Sequence, residues 1–259
     1  MVGQAIQQHL ESQNPNKALA LAFLGGTGRG KTFLTTLIAK TLYKNGEKSL
    51  YYHKFIGVDR LSDDEAEARD FSAISWIKGN LTECAYNVFV FDEMDKFPRV
   101  VIDSLLEFID FDAKTYGKEN SRKSIFIFLS NSATRIIDGE IYKHIYESQK
   151  SRESIRYENL KQSLREAAFN DGLKFSGLRH SEIVRKSLIN YYIPFLPLQK
   201  AHILQCVNAY IKKYNENSLH KIDLKLSVQE KNRIVDEMEY SPEENPLFSK
   251  LGCATFSFF

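Results

Sequence analysis

Short apolar runs alternate with longer amphipathic segments through the first part of the chain. Residues 18–24, 88–91 and 125–129 are almost continuously apolar, which is typical of strands buried on both faces of a parallel sheet. Residues 51–56 form a further β-type run, and residues 100–109 repeat apolar positions at helical spacing. Strands that alternate with helices in this way predict an α/β domain whose parallel sheet carries helices on both faces.

The pattern changes near residue 191. Residues 191–198 combine an apolar run with two prolines, which predicts a last strand followed by a domain boundary. Beyond it, apolar positions follow helical spacing over residues 203–211 and 228–238. We therefore predict an α/β domain over residues 1–197 and a small, mostly helical C-terminal lid domain over residues 198–259.

A glycine-rich stretch lies between the first apolar run and a helical pattern. Its spacing is G-x-x-x-x-G-K-T, in which backbone N–H groups point at phosphate oxygens. Lys31 of this pattern reaches the β- and γ-phosphates of a nucleotide, and the Thr32 hydroxyl ligates Mg²⁺. The alternative is a glycine-rich turn that only looks like the motif, and the strand–loop–helix context argues against it. The predicted nucleotide-binding residues are Gly25, Gly26, Thr27, Gly28, Arg29, Gly30, Lys31 and Thr32.

Two further apolar runs end in polar residues that suit the same chemistry. Asp92 and Glu93 follow the run at 88–91, and Asn131 follows the run at 125–129 after one serine. In ATPases with a phosphate-binding loop, an aspartate at a strand end holds the Mg²⁺ shell and a neighbouring glutamate can activate water. An asparagine there can position the attacking water or contact the γ-phosphate. The alternatives are an ordinary acidic strand end and a turn-forming asparagine, and the glycine loop favours the catalytic interpretation.

Charge, apolar runs and cysteine spacing limit which partners and which targeting or membrane segments the sequence indicates. The net charge is +2, from 35 basic and 33 acidic residues, so the sequence does not indicate a nucleic-acid partner. No run of about 18 apolar residues predicts a transmembrane helix, and the polar residues 1–17 do not form a signal peptide. Cys84, Cys206 and Cys253 lack C-x-x-C spacing, so they are either one disulfide with one free thiol or three buried thiols. Buried thiols are the favoured interpretation.

These motifs together carry a family resemblance. Asp92-Glu93 and Asn131 after a glycine loop resemble an AAA+ ATPase. Residues 91–96, 126–131, 193–198 and 248–253 narrow the resemblance to the torsins, Clp-related AAA+ proteins of the endoplasmic reticulum lumen and nuclear envelope. The resemblance runs from about residue 3 to residue 256.

The resemblance implies ATP and Mg²⁺ as cofactors. It assigns nucleotide binding to Lys31 and Thr32, Mg²⁺ binding to Asp92, hydrolysis to Glu93 and the role of first sensor to Asn131. It also implies a homo- or hetero-oligomer, an activator that is membrane-anchored with a lumenal domain, and residence in the endoplasmic reticulum lumen and nuclear envelope.

Three further positions acquire a role by the same resemblance. Cys206 and Cys253 match two family cysteines that flank the nucleotide from the small domain, where a disulfide could tie redox state to nucleotide binding. Asn80 begins an Asn-Leu-Thr triplet at the place of a torsin glycosylation sequon.

The chain departs from the torsin pattern at two positions. Thr32 stands where torsins usually have asparagine, which should favour Mg²⁺ binding. Ala254 stands where the family has the cation of a second sensor, which should weaken unaided hydrolysis. The main functional hypothesis is an ATPase that remodels protein or membrane-associated partners. The alternatives are a nucleotide-dependent binding switch with little catalysis and a cytosolic Clp-like unfoldase.

One more segment has two interpretations. Residues 55–57 have the aromatic–aliphatic–glycine sequence of a substrate-gripping pore loop. The same residues also fit the end of a β-strand, and we favour the strand.

Overall fold

The computed structural model of the chain describes residues 1–57, 63–112, 118–171, 177–217 and 223–256. The chain forms two compact units. The sheet unit comprises Met1–Gly25 and Lys31–Pro194, and the small unit comprises Gly26–Gly30 and Phe195–Phe259. The predicted domains differ from these units in the grouping of Gly26–Gly30 and of residues 195–197.

The sheet unit is built on a parallel sheet, which confirms the predicted fold class. The strands follow the order β2-β3-β4-β1-β5, and every neighbouring pair is parallel. All residues of β1 and β4 are buried, as their continuous apolar sequences require. The strands are β1 (Leu19–Leu24), β2 (Tyr52–Ile56), β3 (Val88–Asp92), β4 (Ile125–Ser130) and β5 (Tyr191–Pro194).

Helices flank this sheet. For example, α2 contacts β3 and α8 contacts β5. The helix predicted over residues 100–109 is divided in two at Leu105. The N–H of Leu105 bonds to Ile102 O, three residues back, which makes a tighter turn than an α-helix. Leu105 is completely buried at this turn. The helices are α1 (Val2–Glu11), α2 (Lys31–Leu42), α3 (Asp63–Glu83), α4 (Arg99–Ser104), α5 (Leu106–Ile109), α6 (Lys118–Lys123), α7 (Thr134–Tyr142), α8 (Tyr157–Asn170) and α9 (Glu182–Arg185).

Two rows of aromatic rings cross β2, β3 and β4. Centroid distances along the rows are 4.9 and 5.1 Å in one and 5.0 and 5.5 Å in the other. Within each row, neighbouring rings occupy paired positions of adjacent strands. Along each strand the two rows are two residues apart, so both rows lie on the same face of the sheet. The rows are His53–Phe89–Phe126 and Phe55–Phe91–Phe128. Phe55 and Ile56 therefore belong to a strand. The half-buried ring of Phe55 stacks on Phe91 and is not presented as part of a pore loop.

The small unit packs two helices around a compact apolar cluster. Helices α10 (Lys200–Asn217) and α11 (Val228–Asp236) contact each other. The N-terminus of α11 carries a capping box, in which Ser227 and Glu230 satisfy each other's backbone N–H groups. A short antiparallel pair, β6 (Tyr240–Ser241) and β7 (Phe248–Ser249), was not predicted. The buried members of the cluster are Ile203, Val207, Val235 and Tyr240.

A disulfide joins Cys206 and Cys253 in the small unit, with their Cα atoms 5.8 Å apart. The favoured prediction of three buried thiols is therefore wrong, because α10 places Cys206 within bonding distance of the segment that carries Cys253. Cys84, in the sheet unit, is a free and half-buried cysteine. Among the helices that the structure describes, none has the length and apolarity that a membrane crossing needs.

Candidate functional site

The predicted catalytic and metal-binding side chains lie at the carboxyl ends of neighbouring strands. Strand β4 runs between β1 and β3, so Asn131, which follows β4, is adjacent both to the end of β1 and to Asp92 at the end of β3. Lys31 and Thr32 open α2. The topology therefore brings four of the predicted residues to one edge of the sheet, as expected when parallel strands end side by side.

Lys31 and Asn131 are in direct contact. Lys31 Nζ donates to Asn131 Oδ1 at 3.0 Å and also to the backbone oxygen of Gly25. The Gly25 N–H in turn donates to Ser130 O at 3.2 Å. The lysine of the loop and the residue after β4 are therefore joined across 100 residues of sequence.

Thr32 and Asp92 form a second contact pair. Thr32 Oγ1 donates to Asp92 Oδ2 at 3.1 Å, and the other carboxylate oxygen, Oδ1, accepts from the N–H of Glu93 at 2.9 Å. Hydroxyl and carboxylate oxygens are the hard ligands that Mg²⁺ takes, usually together with phosphate oxygens and water. The donor set at this edge therefore fits the magnesium ion that the sequence predicts.

Helix α2 is also tied to the sheet behind this pair. Tyr52 of β2 donates its hydroxyl to Thr35 Oγ1 at 3.1 Å. Burial raises the pKa of Tyr52, which keeps the hydroxyl protonated and able to donate. Thr35 is completely buried and lies one turn beyond Thr32, so this bond fixes the start of the helix that presents Thr32.

Glu93 has an unusual backbone conformation. Its φ of 54° lies in the left-handed region, which is uncommon for a side chain other than glycine, asparagine or aspartate. Its carboxylate forms an ion pair with Lys96, with Nζ 2.5 Å from Oε2. The backbone of Gly57 passes close by, because a Cβ at residue 57 would lie 2.5 Å from Glu93 O. The turn after β3 is thus held by close backbone packing and a local ion pair.

Asp95 is a functional candidate that the sequence analysis missed. Its carboxylate accepts from Ser130 Oγ at 2.7 Å and from the N–H of Asn131 at 2.6 Å. Asp95 therefore fixes the residue after β4 to the turn after β3, which sets the position of Asn131 relative to Asp92. The available signal was a third acidic residue after Asp92 and Glu93, together with Ser130 and Asn131 at the end of the next buried strand.

The middle of the glycine loop is held within the small unit. Gly28 O accepts from the N–H of Cys253 at 2.9 Å, and Gly28 has a φ of +73°. A Cβ at Gly28 would lie 2.0 Å from Leu251 O and 2.8 Å from Ala254 N. Only glycine fits there. Ala254, where the torsin resemblance predicts a cation, therefore lies directly beside the loop.

The candidate glycosylation position lies near the end of α3. Asn80 Nδ2 donates to Trp76 O at 2.8 Å, and Thr82 Oγ1 donates to Gly79 O at 2.6 Å. Asn80 is half-buried. The triplet is thus folded into the last turns of a helix, and its use as a glycosylation acceptor stays a prediction.

Comparison with known proteins adds a family and a fold. The torsin family profile matches residues 1–91. The chain is 32% identical to a torsin-like protein of Caenorhabditis elegans over 254 residues, which cover 98% of this chain and 68% of that protein.

Two solved structures share the fold. An S. cerevisiae Hsp104–ADP complex matches with a TM-score of 0.67 at 20% identity over 99% of this chain. A closed state of Hsp104 with ATPγS and FITC-casein matches with a TM-score of 0.59 at 20% identity over 93% of this chain. The chain spans 42% and 39% of those two chains. At this identity the likeness concerns the fold alone.

Proposed function

Because the chain belongs to the torsin family, we propose that it binds ATP with Mg²⁺ and hydrolyses the ATP to remodel protein or membrane-associated partners. The observation that supports the proposal most strongly is the pair of contacts at one sheet edge, Lys31 with Asn131 and Thr32 with Asp92. These contacts join residues from three separate motifs that all suit nucleotide chemistry.

Each residue at this edge has a distinct task in the proposed reaction. Lys31 binds the β- and γ-phosphates in place of its present partners, Gly25 O and Asn131. Thr32 and Asp92 would hold Mg²⁺, which supplies positive charge against the phosphate oxygens. Glu93 accepts the proton of the attacking water, which requires its carboxylate to leave Lys96. Asn131 orients that water or the γ-phosphate through its side-chain amide.

Ala254 supports the proposal that a partner protein is needed for hydrolysis. An alanine beside the glycine loop supplies no charge to stabilise the transferring phosphoryl group, whereas AAA+ and related enzymes use cations for that purpose. We therefore propose that the protein works in a homo- or hetero-oligomer with a membrane-anchored activator whose lumenal domain completes the site. The proposal includes residence in the endoplasmic reticulum lumen and nuclear envelope, where such a lumenal domain would be available.

Ala254 also favours a second candidate function. A protein that binds ATP but hydrolyses it very slowly would act as a nucleotide-dependent binding switch. In that case the contacts at the sheet edge would control partner binding rather than turnover. The two candidates share nucleotide binding and differ in catalysis.

The test measures binding and turnover separately. We expect Lys31→Ala to weaken binding of a fluorescent ATP analogue by at least about tenfold, because a charge-assisted contact to phosphate is lost. Lys78→Ala is the matched control, since it removes a lysine of the same unit that pairs with Glu107. Equal binding by both variants and the parent would contradict the nucleotide site.

Turnover is then compared in the parent and Glu93→Gln, with and without a lumenal activator domain. We expect Glu93→Gln to keep nucleotide binding and to lose turnover. A different result would favour the nucleotide-dependent binding switch. In that result the parent hydrolyses ATP only at the background rate under both conditions, and Glu93→Gln alters only partner binding.

A further inference from the structure

Lys54 forms an ion pair with the predicted metal ligand. Its Nζ lies 2.8 Å from Asp92 Oδ2. Lys54 belongs to β2, the edge strand next to β3. Ile56 of β2 pairs with Asp92 in the register, and Lys54 lies two residues before Ile56. The side chains of Lys54 and Asp92 are 29% and 15% exposed, so water screens this pair less than it screens a fully exposed one.

The Asp92 carboxylate has little capacity left for another cation. Oδ2 receives both Lys54 and the Thr32 hydroxyl, and Oδ1 receives the N–H of Glu93. An ionised carboxylate offers about four lone-pair sites. The ammonium group therefore occupies the same oxygen that the Thr32 hydroxyl contacts, which is the position where the proposed function requires a divalent cation.

A second lysine pair in the same unit shows what an ordinary ion pair looks like. Lys78 Nζ lies 3.1 Å from Glu107 Oε1, and the two side chains are 40% and 29% exposed. Glu107 belongs to no predicted nucleotide motif. The Lys78 pair thus resembles the Lys54 pair in chemistry and partial exposure but involves none of the predicted nucleotide-binding residues.

We propose that Lys54 is a positioning residue that competes with Mg²⁺ for Asp92 and so sets the Mg²⁺ concentration at which nucleotide binding becomes tight. This inference rests on the proposed function. Two cations that need one carboxylate oxygen repel each other. The Lys54 contact stabilises the protein without magnesium, so Mg²⁺ has to displace Lys54 from Asp92 when it binds. The apparent affinity for Mg²⁺ therefore falls in proportion to the strength of the Lys54–Asp92 contact. No sequence motif marks Lys54, because its role depends on the register of β2 against β3.

The experiment is a titration of the full chain with a fluorescent ATP analogue, first in EDTA and then at stepped concentrations of free Mg²⁺. The measured quantity is the Mg²⁺ concentration at which half of the magnesium-dependent gain in nucleotide affinity is reached. We expect Lys54→Met to lower this midpoint about fivefold, the effect of losing one partly screened charge contact. Lys54→Gln should behave in the same way.

Two control variants isolate the charge at this position. Lys54→Arg keeps the positive charge and should keep the midpoint within about twofold of the parent, since arginine also pairs with carboxylates. Lys78→Met removes a comparable ion pair elsewhere and should leave the midpoint unchanged. Circular dichroism of each variant verifies that the fold is retained.

The outcomes separate this inference from the function on which it rests. If the parent and Lys54→Met bind the analogue with the same magnesium midpoint, or if the midpoint rises in the variant, Lys54 does not compete and the inference is overturned. If no protein, including the parent, binds the analogue at any Mg²⁺ concentration, the proposed function itself fails and the inference fails with it.

Discussion

The two units are stabilised by different means. In the sheet unit, strands buried on both faces and two rows of packed aromatic rings fix the strand ends that carry Asp92 and Asn131. In the small unit, the apolar cluster is modest, and a disulfide fixes the segment that contacts the glycine loop. Small cores bury too little apolar surface to be stable alone, which is why such units often use a covalent link.

The same difference recurs at the level of single contacts. Asp95 holds Asn131 through its side chain, so the contact can be tuned by substitution of one carboxylate. Gly28 and Cys253 meet through their backbones, and a Cβ at Gly28 or Gly252 would lie within 2.5 Å of a backbone oxygen. At these two positions, therefore, the sheet unit uses a side-chain contact, whereas the small unit uses a close backbone contact.

Reduction of the disulfide should produce the largest effect and should be confined to the small unit. The disulfide closes a loop with a sequence separation of 47 residues, and its loss should cost about 4 kcal/mol by the loop-entropy relation. Hydrogen exchange measures this locally. We expect amides of α10 to exchange about a thousandfold faster after reduction, while amides of β1 and β4 keep their protection.

Variants separate the disulfide from other effects of the reductant. Cys206→Ser should reproduce the reduced state without reductant, and Cys84→Ser should leave exchange unchanged because Cys84 is not in a disulfide. Unchanged protection of α10 after verified reduction would show that the small unit is held by its apolar cluster alone.

A matched pair of leucine substitutions tests the packing of the sheet unit. Leu21 in β1 is completely buried, and Leu50 is 82% exposed. We expect Leu21→Ala to lower the free energy of unfolding by about 3 kcal/mol through the lost transfer energy and the cavity, and Leu50→Ala to change it by less than about 0.5 kcal/mol. Denaturant unfolding followed by the fluorescence of Trp76, the single tryptophan, reports on this unit. Similar losses in both variants would mean that burial of β1 does not determine its stability.

The comparison also shows which features the sequence could reveal. The fold of the sheet unit was predictable because buried parallel strands have continuous apolar sequences, and the contact between Lys31 and Asn131 follows once their strands are neighbours. The partnership of Cys206 with Cys253 was not predictable from spacing, since it depends on how α10 meets a segment 47 residues later.

Two carboxylate contacts were equally hidden from sequence reasoning. Lys54 reaches Asp92 only because of the pairing register of β2 with β3. Asp95 reaches Asn131 only because β3 and β4 end side by side. Motifs report residues that recur in a fixed local order, and these contacts depend on strand pairing between distant segments. The sequence therefore marked residues that meet at this sheet edge, Lys31 with Asn131 and Thr32 with Asp92, but not the groups that hold them.

The smallest expected effect concerns a titratable ring within the aromatic packing of the sheet unit. The His53 ring stacks on Phe89 with centroids 4.9 Å apart, forms a T-shaped contact with Trp76 with centroids 4.4 Å apart, and hydrogen-bonds to Asn87 at 2.9 Å. Burial lowers the pKa of His53 from its ordinary value of 6.5, and the bond to Asn87 opposes this only in part. The folded protein therefore keeps this ring neutral where the unfolded chain already binds a proton.

The sign of the pH effect follows from this difference. As pH falls through 6.5, the unfolded state takes up the proton first, so the contribution of His53 to stability is present above that pH and is lost below it. Between pH 8 and pH 6 the loss is at most about 0.8 kcal/mol, the limit for a ring that stays neutral throughout in the folded protein. Denaturant unfolding of the parent and of His53→Phe at both pH values measures this loss. Burial also lowers the pKa of His9, but His9 is present in both proteins, so its contribution cancels in the comparison. We expect a smaller pH dependence in the variant, and an identical dependence would show that folding does not lower the pKa of His53.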